Sequence, residues 1–356
     1  MNFYIHGHNI FSIVIITFLV SAILIPFIKV LAVHINAIDI PNERKVHGKP
    51  MPRLGGLAIF FSFLMGYILY APESTQMLSV IIGGFIIIIV GIADDIKPLR
   101  ARYKLLLQII ASSVVVFYGE LVLQDINVLG LVLNFGTPVN HIFTILFIVA
   151  IMNAINFIDG LDGLAAGVSS IYFLTIGIIA LILNKLGGLD IILSFIMLGA
   201  TLGFLLYNFN PASIFMGDTG SLFLGFIISV IALLGFKTAT ITSLIIPLLI
   251  LAVPIFDTIL AIFRRLIKGE SIGYPDKEHL HHQLLNMKFS PKKIVLIIYF
   301  FTALFAGVSI FYVLEKNQLA ILIYIVLMIV LFVFVLKTNI LFAHKKKVLN
   351  NDKKNI

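Results

Sequence analysis

The chain carries eleven runs of about 20 apolar residues, and that feature limits its fold more than any other. They lie near 10–33, 54–71, 77–93, 104–120, 140–157, 164–183, 189–207, 220–236, 241–263, 293–314 and 318–337. A helix of that length crosses the hydrocarbon core of a bilayer. In lipid, only helices and closed barrels satisfy their own backbone. The runs therefore predict an all-α integral membrane protein of about eleven transmembrane helices. They form one multi-pass unit, 1–337, followed by a basic tail, 338–356. The segment 121–139 is too broken for a span and predicts a short hairpin. The first run is too long for a secretory signal core, and no small-residue cleavage pattern follows it, so it is expected to be an uncleaved span. No internal repeat of the kind that builds two-half transporters is visible.

Composition matters here for what it excludes. Only 12% of residues are charged and 60% are hydrophobic, against about a quarter charged in soluble domains. Cysteine is absent, which removes disulfides, thiolate metal sites and a Cys nucleophile. Tryptophan is absent too, so Tyr and Phe must serve any interfacial belt. The 25 Lys and Arg exceed the 17 Asp and Glu. In so apolar a chain that excess reports topology rather than nucleic acid. Loops on one side hold 22 of the 25, and the other side holds only Lys185, Lys237 and Lys316. Positive charge stays in the cytoplasm. The N-terminus is expected outside and the C-terminus inside, in the cell membrane. The tail HKKKVLNNDKKNI suits anionic lipid heads.

Five polar loops fall on the cytoplasmic side, and they look like the walls of one site. The third, NAINFIDGLDGLAAG, repeats Asn153, Asn156, Asp159 and Asp162 at every third residue. The fourth is YNFNPASIFMGDTGS, with Asp218 between Gly217 and Gly220. Neither contains Lys or Arg, so topology does not require them. The second, GIADDIKPLRARYK, places Asp94 beside Asp95. Adjacent acids repel unless a cation or proton lies between them, and Lys97 alone cannot neutralise both. Scattered single carboxylates without Cys favour a hard cation such as Mg2+, which keeps waters and shares substrate phosphates. Asp162 also suits a helix cap. The glycines beside Asp159, Asp162 and Asp218 allow close backbone approach to an anion, or only a plain turn.

The fifth loop contains DKEHLHHQLL, with His279, His281 and His282 close together. Zinc is a poor fit, because no closed tetrahedral shell is supplied. A solvated loop and an anion contact both stay open, and His beside Lys277 favours the anion. Asp257, seven residues before Arg264, is expected to pair structurally with a neighbour. His6 and His8, at the outer terminus, are given no role.

Together PNERKVHGKPMPRLGG, GIADD, NAINFIDGLDGLAAG, NFNPASIFMGDTGS and DKEHLHHQLL resemble, in order, the polyprenyl-phosphate N-acetylhexosamine-1-phosphate transferases. PRLGG and HLHH resemble the WecA/TagO branch rather than the related peptidoglycan enzyme MraY. The resemblance implies transfer of GlcNAc-1-phosphate from UDP-GlcNAc to undecaprenyl phosphate, with release of UMP. The product would be the lipid-linked first sugar of a cell-wall or surface glycan, such as teichoic acid or O-antigen. It implies Mg2+ (or Mn2+) and a cytoplasm-facing site. Asp94 and Asp95 would be the acidic pair near the lipid phosphate, and Asp218 the metal ligand. Asn156 and Asp159 would lie by the ribose and diphosphate. Asp162, Asn208 and Phe215 would form the uracil pocket, and His279, His281 and His282 would contact the diphosphate. Other UDP-N-acetylhexosamines, and UDP-MurNAc-pentapeptide, remain alternative donors. A homodimer stays open.

The chemistry requires charge neutralisation at the donor diphosphate, in-line placement of the lipid phosphate, and a base for its attacking oxygen. Asp94 or Asp95 is the candidate base. Direct attack is favoured over a phospho-aspartate intermediate. The rival is a cation-coupled transporter, whose acids sit at mid-membrane depth. Here only Asp257 is a candidate for depth.

Overall fold

Apolar periods of this length do produce helices. The structure, a computed structural model, describes residues 4–41, 49–123, 126–128, 131–133, 136–183, 188–236, 242–268, 279–315 and 318–337. The expected basic tail, 338–356, lies outside the described residues, as do 42–48 of the first polar loop and 269–278 of the fifth. The helices are α1 Ile10–His34, α2 Gly56–Tyr70, α3 Thr75–Ile96, α4 Ala101–Ser113, α5 Thr137–Ile158, α6 Leu164–Ile182, α7 Leu189–Asn208, α8 Gly217–Phe236, α9 Thr242–Ile250, α10 Ala252–Lys268, α11 Leu280–Asn286, α12 Pro291–Glu315 and α13 Gln318–Lys337. A π-helical turn, Val114–Tyr118, continues α4. Three short antiparallel strand pairs complete the described structure: β1 Tyr4–Ile5 with β2 His8–Asn9, β3 Ile38–Asp39 with β4 Met51–Pro52, and β5 Ile126–Val128 with β6 Leu131–Leu133. The last pair falls where the sequence predicts a hairpin.

The protein is an all-α integral membrane protein. Among the described residues, nine helices are long and apolar enough to cross a membrane. Two of the eleven runs differ. Helix α2 has 15 residues. The run 241–263 is divided at Leu251 into α9 and α10. Pro254, in the first turn of α10, has no N–H for the Ile250 carbonyl, which opens the ladder at the division, although the Leu251 N–H still reaches Pro247. The second piece, α10, is amphipathic and ends in Arg264, Arg265 and Lys268.

Lipid tails give helices no hydrophobic reason to associate, so close packing must do it, and small residues allow that. In α7, Gly199 and Gly203 lie one turn apart against α1. A Cβ at either would come within 2.4 Å of an α1 carbonyl oxygen, Val14 or Phe18. Helix α8 lies at the centre of the bundle. Gly56 of α2 meets Gly220 of α8, where a Cβ would sit 2.1 Å from the Gly220 nitrogen. Gly91 of α3 meets Thr219, where a Cβ would sit 2.3 Å from its Cα. The start of α8 is thus pinned between α2 and α3.

Candidate active site

Helix N-termini leave amides unsatisfied, and how each is satisfied locates the site. Asn9 caps α1 and Ser74 caps α3, each from within its own segment. Helix α8 is capped by another helix. Asp95, at the end of α3, accepts the Asp218 N–H at 2.9 Å and the Thr219 N–H at 3.0 Å, and the Thr219 hydroxyl donates to it at 2.7 Å. A carboxylate there also interacts favourably with the positive end of the helix dipole. Gly217 makes the approach feasible: its φ is +71° and a Cβ would lie 2.3 Å from Asp95 Oδ2. The adjoining loops are tied to the same end. Gly55 and Gly56 donate to the Phe215 and Met216 carbonyls, and Phe215 donates to Pro52.

Two cations join the acids. Arg53 Nε lies 3.3 Å from Asp95, its Nη1 3.6 Å from Asp39, and its Nη2 4.0 Å from Asp218. Lys104 Nζ contacts Asp218 directly and lies 3.4 Å from Asp94. Asp94 also accepts the Leu99 N–H. Asn156 donates to Asp218 at 3.2 Å and to Ser221 at 2.8 Å. One turn deeper on the same two helices, Gln108 of α4 and Asn153 of α5 exchange amide hydrogen bonds at 2.8 and 3.4 Å.

Beside this cluster opens a cleft of about 700 Å³. Its walls include Asp159, Asp162, Asn208, Phe215, Arg53 and His282. Asp162 accepts from the Asn210 side chain and the Ala212 N–H, both at 3.0 Å. Asn208 is buried; it accepts the Gly163 N–H and donates to the Ile214 carbonyl, binding the third polar loop to the fourth. Desolvation holds the Asp159 carboxyl well above the ordinary carboxylate range, and the Arg53 guanidinium opposes that shift.

The histidines approach from the other side. Asp257 of α10 is buried; it binds the His279 ring at 3.0 Å and accepts the Leu280 N–H at 2.8 Å. This is the structural pairing expected for Asp257, and its partner is a histidine. His279 and His281 lie parallel, 5.9 Å apart, and His281 is 4.2 Å from His282. His281 packs on Gly160, where a Cβ would lie 2.3 Å from its Nε2. Burial pushes His281 down to about 3. Of the three rings, His282 lines the cleft, while His279 and His281 are turned into protein.

The structure thus gathers Asp94, Asp95, Asn156 and Asp218 in one cluster, with Asp159, Asp162, Asn208, Phe215 and His282 on the adjoining cleft. Sequence reasoning missed Arg53 and Lys104, reading both only as topological charge. The signal for Arg53 was its place in PRLGG, three residues before Gly56, which meets α8. Asp39, 14% exposed at its side chain, had no signal at all. Among the described residues, no three His, Asp or Glu side chains form a metal-binding group. Asp94 and Asp218 nevertheless converge on one cation, the Lys104 ammonium, and their oxygen donors suit a hard ion.

Residues 77–236 match the family model for Glycosyl transferase family 4. The chain is 43% identical to the "Probable undecaprenyl-phosphate N-acetylglucosaminyl 1-phosphate transferase" of Bacillus subtilis, over 89% of this chain and 88% of that one. It is 35% identical to the "Decaprenyl-phosphate N-acetylglucosaminephosphotransferase" of Mycolicibacterium smegmatis, over 79% and 76%. It is 28% identical to the "Undecaprenyl-phosphate alpha-N-acetylglucosaminyl 1-phosphate transferase" of Escherichia coli K12, over 82% and 81%.

Proposed function

The chain belongs to glycosyl transferase family 4 together with these polyprenyl-phosphate GlcNAc-1-phosphate transferases, and we propose that it moves GlcNAc-1-phosphate from UDP-GlcNAc to undecaprenyl phosphate, releasing UMP. The observation that carries this reading is the cleft of about 700 Å³ beside a cluster of three acids and two cations, all at one end of a membrane bundle. The cleft has room for a nucleotide sugar. The cluster lies at the helix ends, where a lipid phosphate reaches the water while its chain stays in the bilayer. The basic bias of the loops supports a cytoplasmic face of the cell membrane for that end.

Phe215 offers the uracil a ring face, and Asp162 and Asn208 shape the pocket around it. Asn156 and Asp159 face the ribose and diphosphate. Arg53, reaching both cleft and cluster, neutralises phosphate charge and orients the donor. Asp218 would hold Mg2+ (or Mn2+), with Asp94 across the same position. That ion supplies charge neutralisation for the diphosphate and the departing UMP. Asp94 takes the proton when the lipid phosphate arrives as its monoanion; a phosphate monoester loses its second proton near pH ~6, so the demand is small. Asp95 is the poorer base, because Asp218, Thr219 and Arg53 hold both its oxygens, whereas Asp94 accepts one N–H, from Leu99, and has Lys104 only at 3.4 Å. The engagement of both acids also favours direct attack over a phospho-aspartate.

The test is UMP release by purified protein in detergent with undecaprenyl phosphate, Mg2+ and UDP-GlcNAc. UDP-GalNAc, UDP-MurNAc-pentapeptide, EDTA and lipid-free controls run alongside. Lipid- and Mg2+-dependent UMP from UDP-GlcNAc is the expected outcome. Turnover of another donor alone would overturn the sugar assignment. Silence from folded protein with every donor would overturn the reaction.

A further inference from the structure

Asp257 is a buried acid that the reaction above does not use. Its side chain is 3% exposed and lies on α10, away from the carboxylate cluster. A buried carboxylate is costly unless it is paired and hydrogen-bonded. Both of its oxygens are engaged. One holds the His279 ring and the other accepts the Leu280 N–H, the first amide of α11. Those partners are 22 and 23 residues further along the chain.

Helix α11 has only seven residues. A helix that short has no stability of its own and stays where tertiary contacts hold it. Its residue before the first turn, His279, makes no side-chain cap bond to its own helix. Asp257 supplies the missing acceptor from α10, and its charge suits a helix N-terminus. The rest of the dock is packing. Leu280 and Leu284 are buried, the His279 ring lies 5.5 Å from that of Phe157, and His281 is pressed onto Gly160. One residue further on, His282 enters the cleft beside Asp159 and Gly160.

We propose that Asp257 is a positioning residue: by holding the His279 ring and the first amide of α11, it fixes where His282 enters the donor cleft. It touches neither donor nor acceptor. The catalytic part of the argument rests on the function proposed above, but the structural part does not.

The experiment uses the full chain in detergent, with Asp257→Ala, Asp257→Asn, His282→Ala and the double variant Asp257→Ala/His282→Ala. Amide hydrogen exchange across residues 279–290 is read first, because it needs no activity. Asp257→Ala is expected to lose protection over Leu280–Asn286 while α8 keeps its own. In UMP-release kinetics its KM for UDP-GlcNAc should rise about tenfold, the size of one charge-assisted hydrogen bond. KM for the lipid acceptor should stay put. His282→Ala should show the same split, and the double variant should be no worse than His282→Ala alone, since both act through one contact. Unchanged protection of α11 in Asp257→Ala overturns the proposal, as does an additive double variant. Should the Ala variant fail to fold, Asp257→Asn decides by the same readouts: it keeps one acceptor oxygen and should show a smaller loss in the same direction, and parent-like exchange and KM would overturn the proposal. A parent protein that makes no UMP defeats the functional reading and leaves the exchange result to judge Asp257.

Discussion

Asp95 and Asp257 make the same kind of bond in two differently built places. Each is a buried acid that caps the N-terminus of a helix not its own. Asp95 caps α8, a 20-residue helix at the bundle centre, pinned by Gly56 and Gly91. Asp257 caps α11, a seven-residue helix with a histidine as the second partner. The difference teaches where precision comes from. At α8, helix packing fixes the backbone and the carboxylate stabilises it. At α11 there is little helix to pack, so the carboxylate fixes the N-terminus and a few contacts, from Leu280, Leu284 and His281, hold the rest. The metal-suited cluster lies on the rigid construction and the cleft histidine on the dependent one.

The largest effect is expected on the rigid side. Asp218→Asn should cut UMP release by roughly a thousandfold or more, as loss of a key charge at a phosphoryl-transfer site does. Its melting temperature should hold, because α2, α3 and Asp95 still fix the start of α8. Normal Mg2+-dependent rates in that variant would remove Asp218 from the metal site. Asp95→Ala should act differently, losing about 3 kcal/mol of stability because it leaves the Asp218 and Thr219 amides and the Thr219 hydroxyl without their acceptor, while Arg53 keeps Asp39 and Asp218. Thermal melts of Asp95→Ala and Asp257→Ala sharpen the comparison directly. Asp95→Ala should melt lower, and the reverse order would show that α11, not α8, anchors this end.

A smaller effect is expected from Gln108→Leu. The Gln108–Asn153 pair lies one turn below Lys104 and Asn156 and sets the spacing of α4 and α5. Buried hydrogen bonds between membrane helices average about 0.6 kcal/mol, so turnover should fall about threefold with little loss of stability. An unchanged rate would mean that Lys104 finds Asp94 and Asp218 without that spacer.

How much of this the sequence reveals depends on how far apart the partners are. Lipid forces apolar runs of about 20 residues, so the spans and the hairpin near 121–139 are legible. The division of 241–263 is not, because Pro247 and Pro254 sit inside an otherwise continuous apolar run and proline is tolerated in membrane helices. The acids are visible because loops without Lys or Arg have no topological reason to be polar. Their division of labour is hidden. Asp94 and Asp95 read alike in sequence, yet only Asp95 points into the start of α8, more than a hundred residues later. Arg53 and Lys104 are masked by the positive-inside bias, which supplies an adequate reason for any cation in those loops. His279, His281 and His282 read as one basic cluster, and only packing against Asp257 and Gly160 separates them.

The last effect is one of pH, and the part that depends on His281 should be confined to the dependent side. His281 is held near pKa 3 by burial, with His282 and His279 pushing the same way and Asp257 opposing. The unfolded chain takes up that proton near pH ~6.5. Between those values the unfolded state binds more protons than the folded one, so stability rises with pH across the window. The contribution is complete above about pH 6.5 and is lost as pH falls towards 3. Carboxylates elsewhere also titrate there, so the readout is a difference. His281→Gln should melt slightly lower than the parent at pH 7.5, and the gap should narrow or reverse at pH 5. Exchange of α11 should follow the same trend, while the start of α8, pinned by Gly56 and Gly91, should respond to pH alike in both proteins. A gap that stays constant with pH would mean that His281 carries its proton in the folded protein, or is not buried against Gly160. Either would undo the distinction between the histidine that faces the cleft and the two that hold it there.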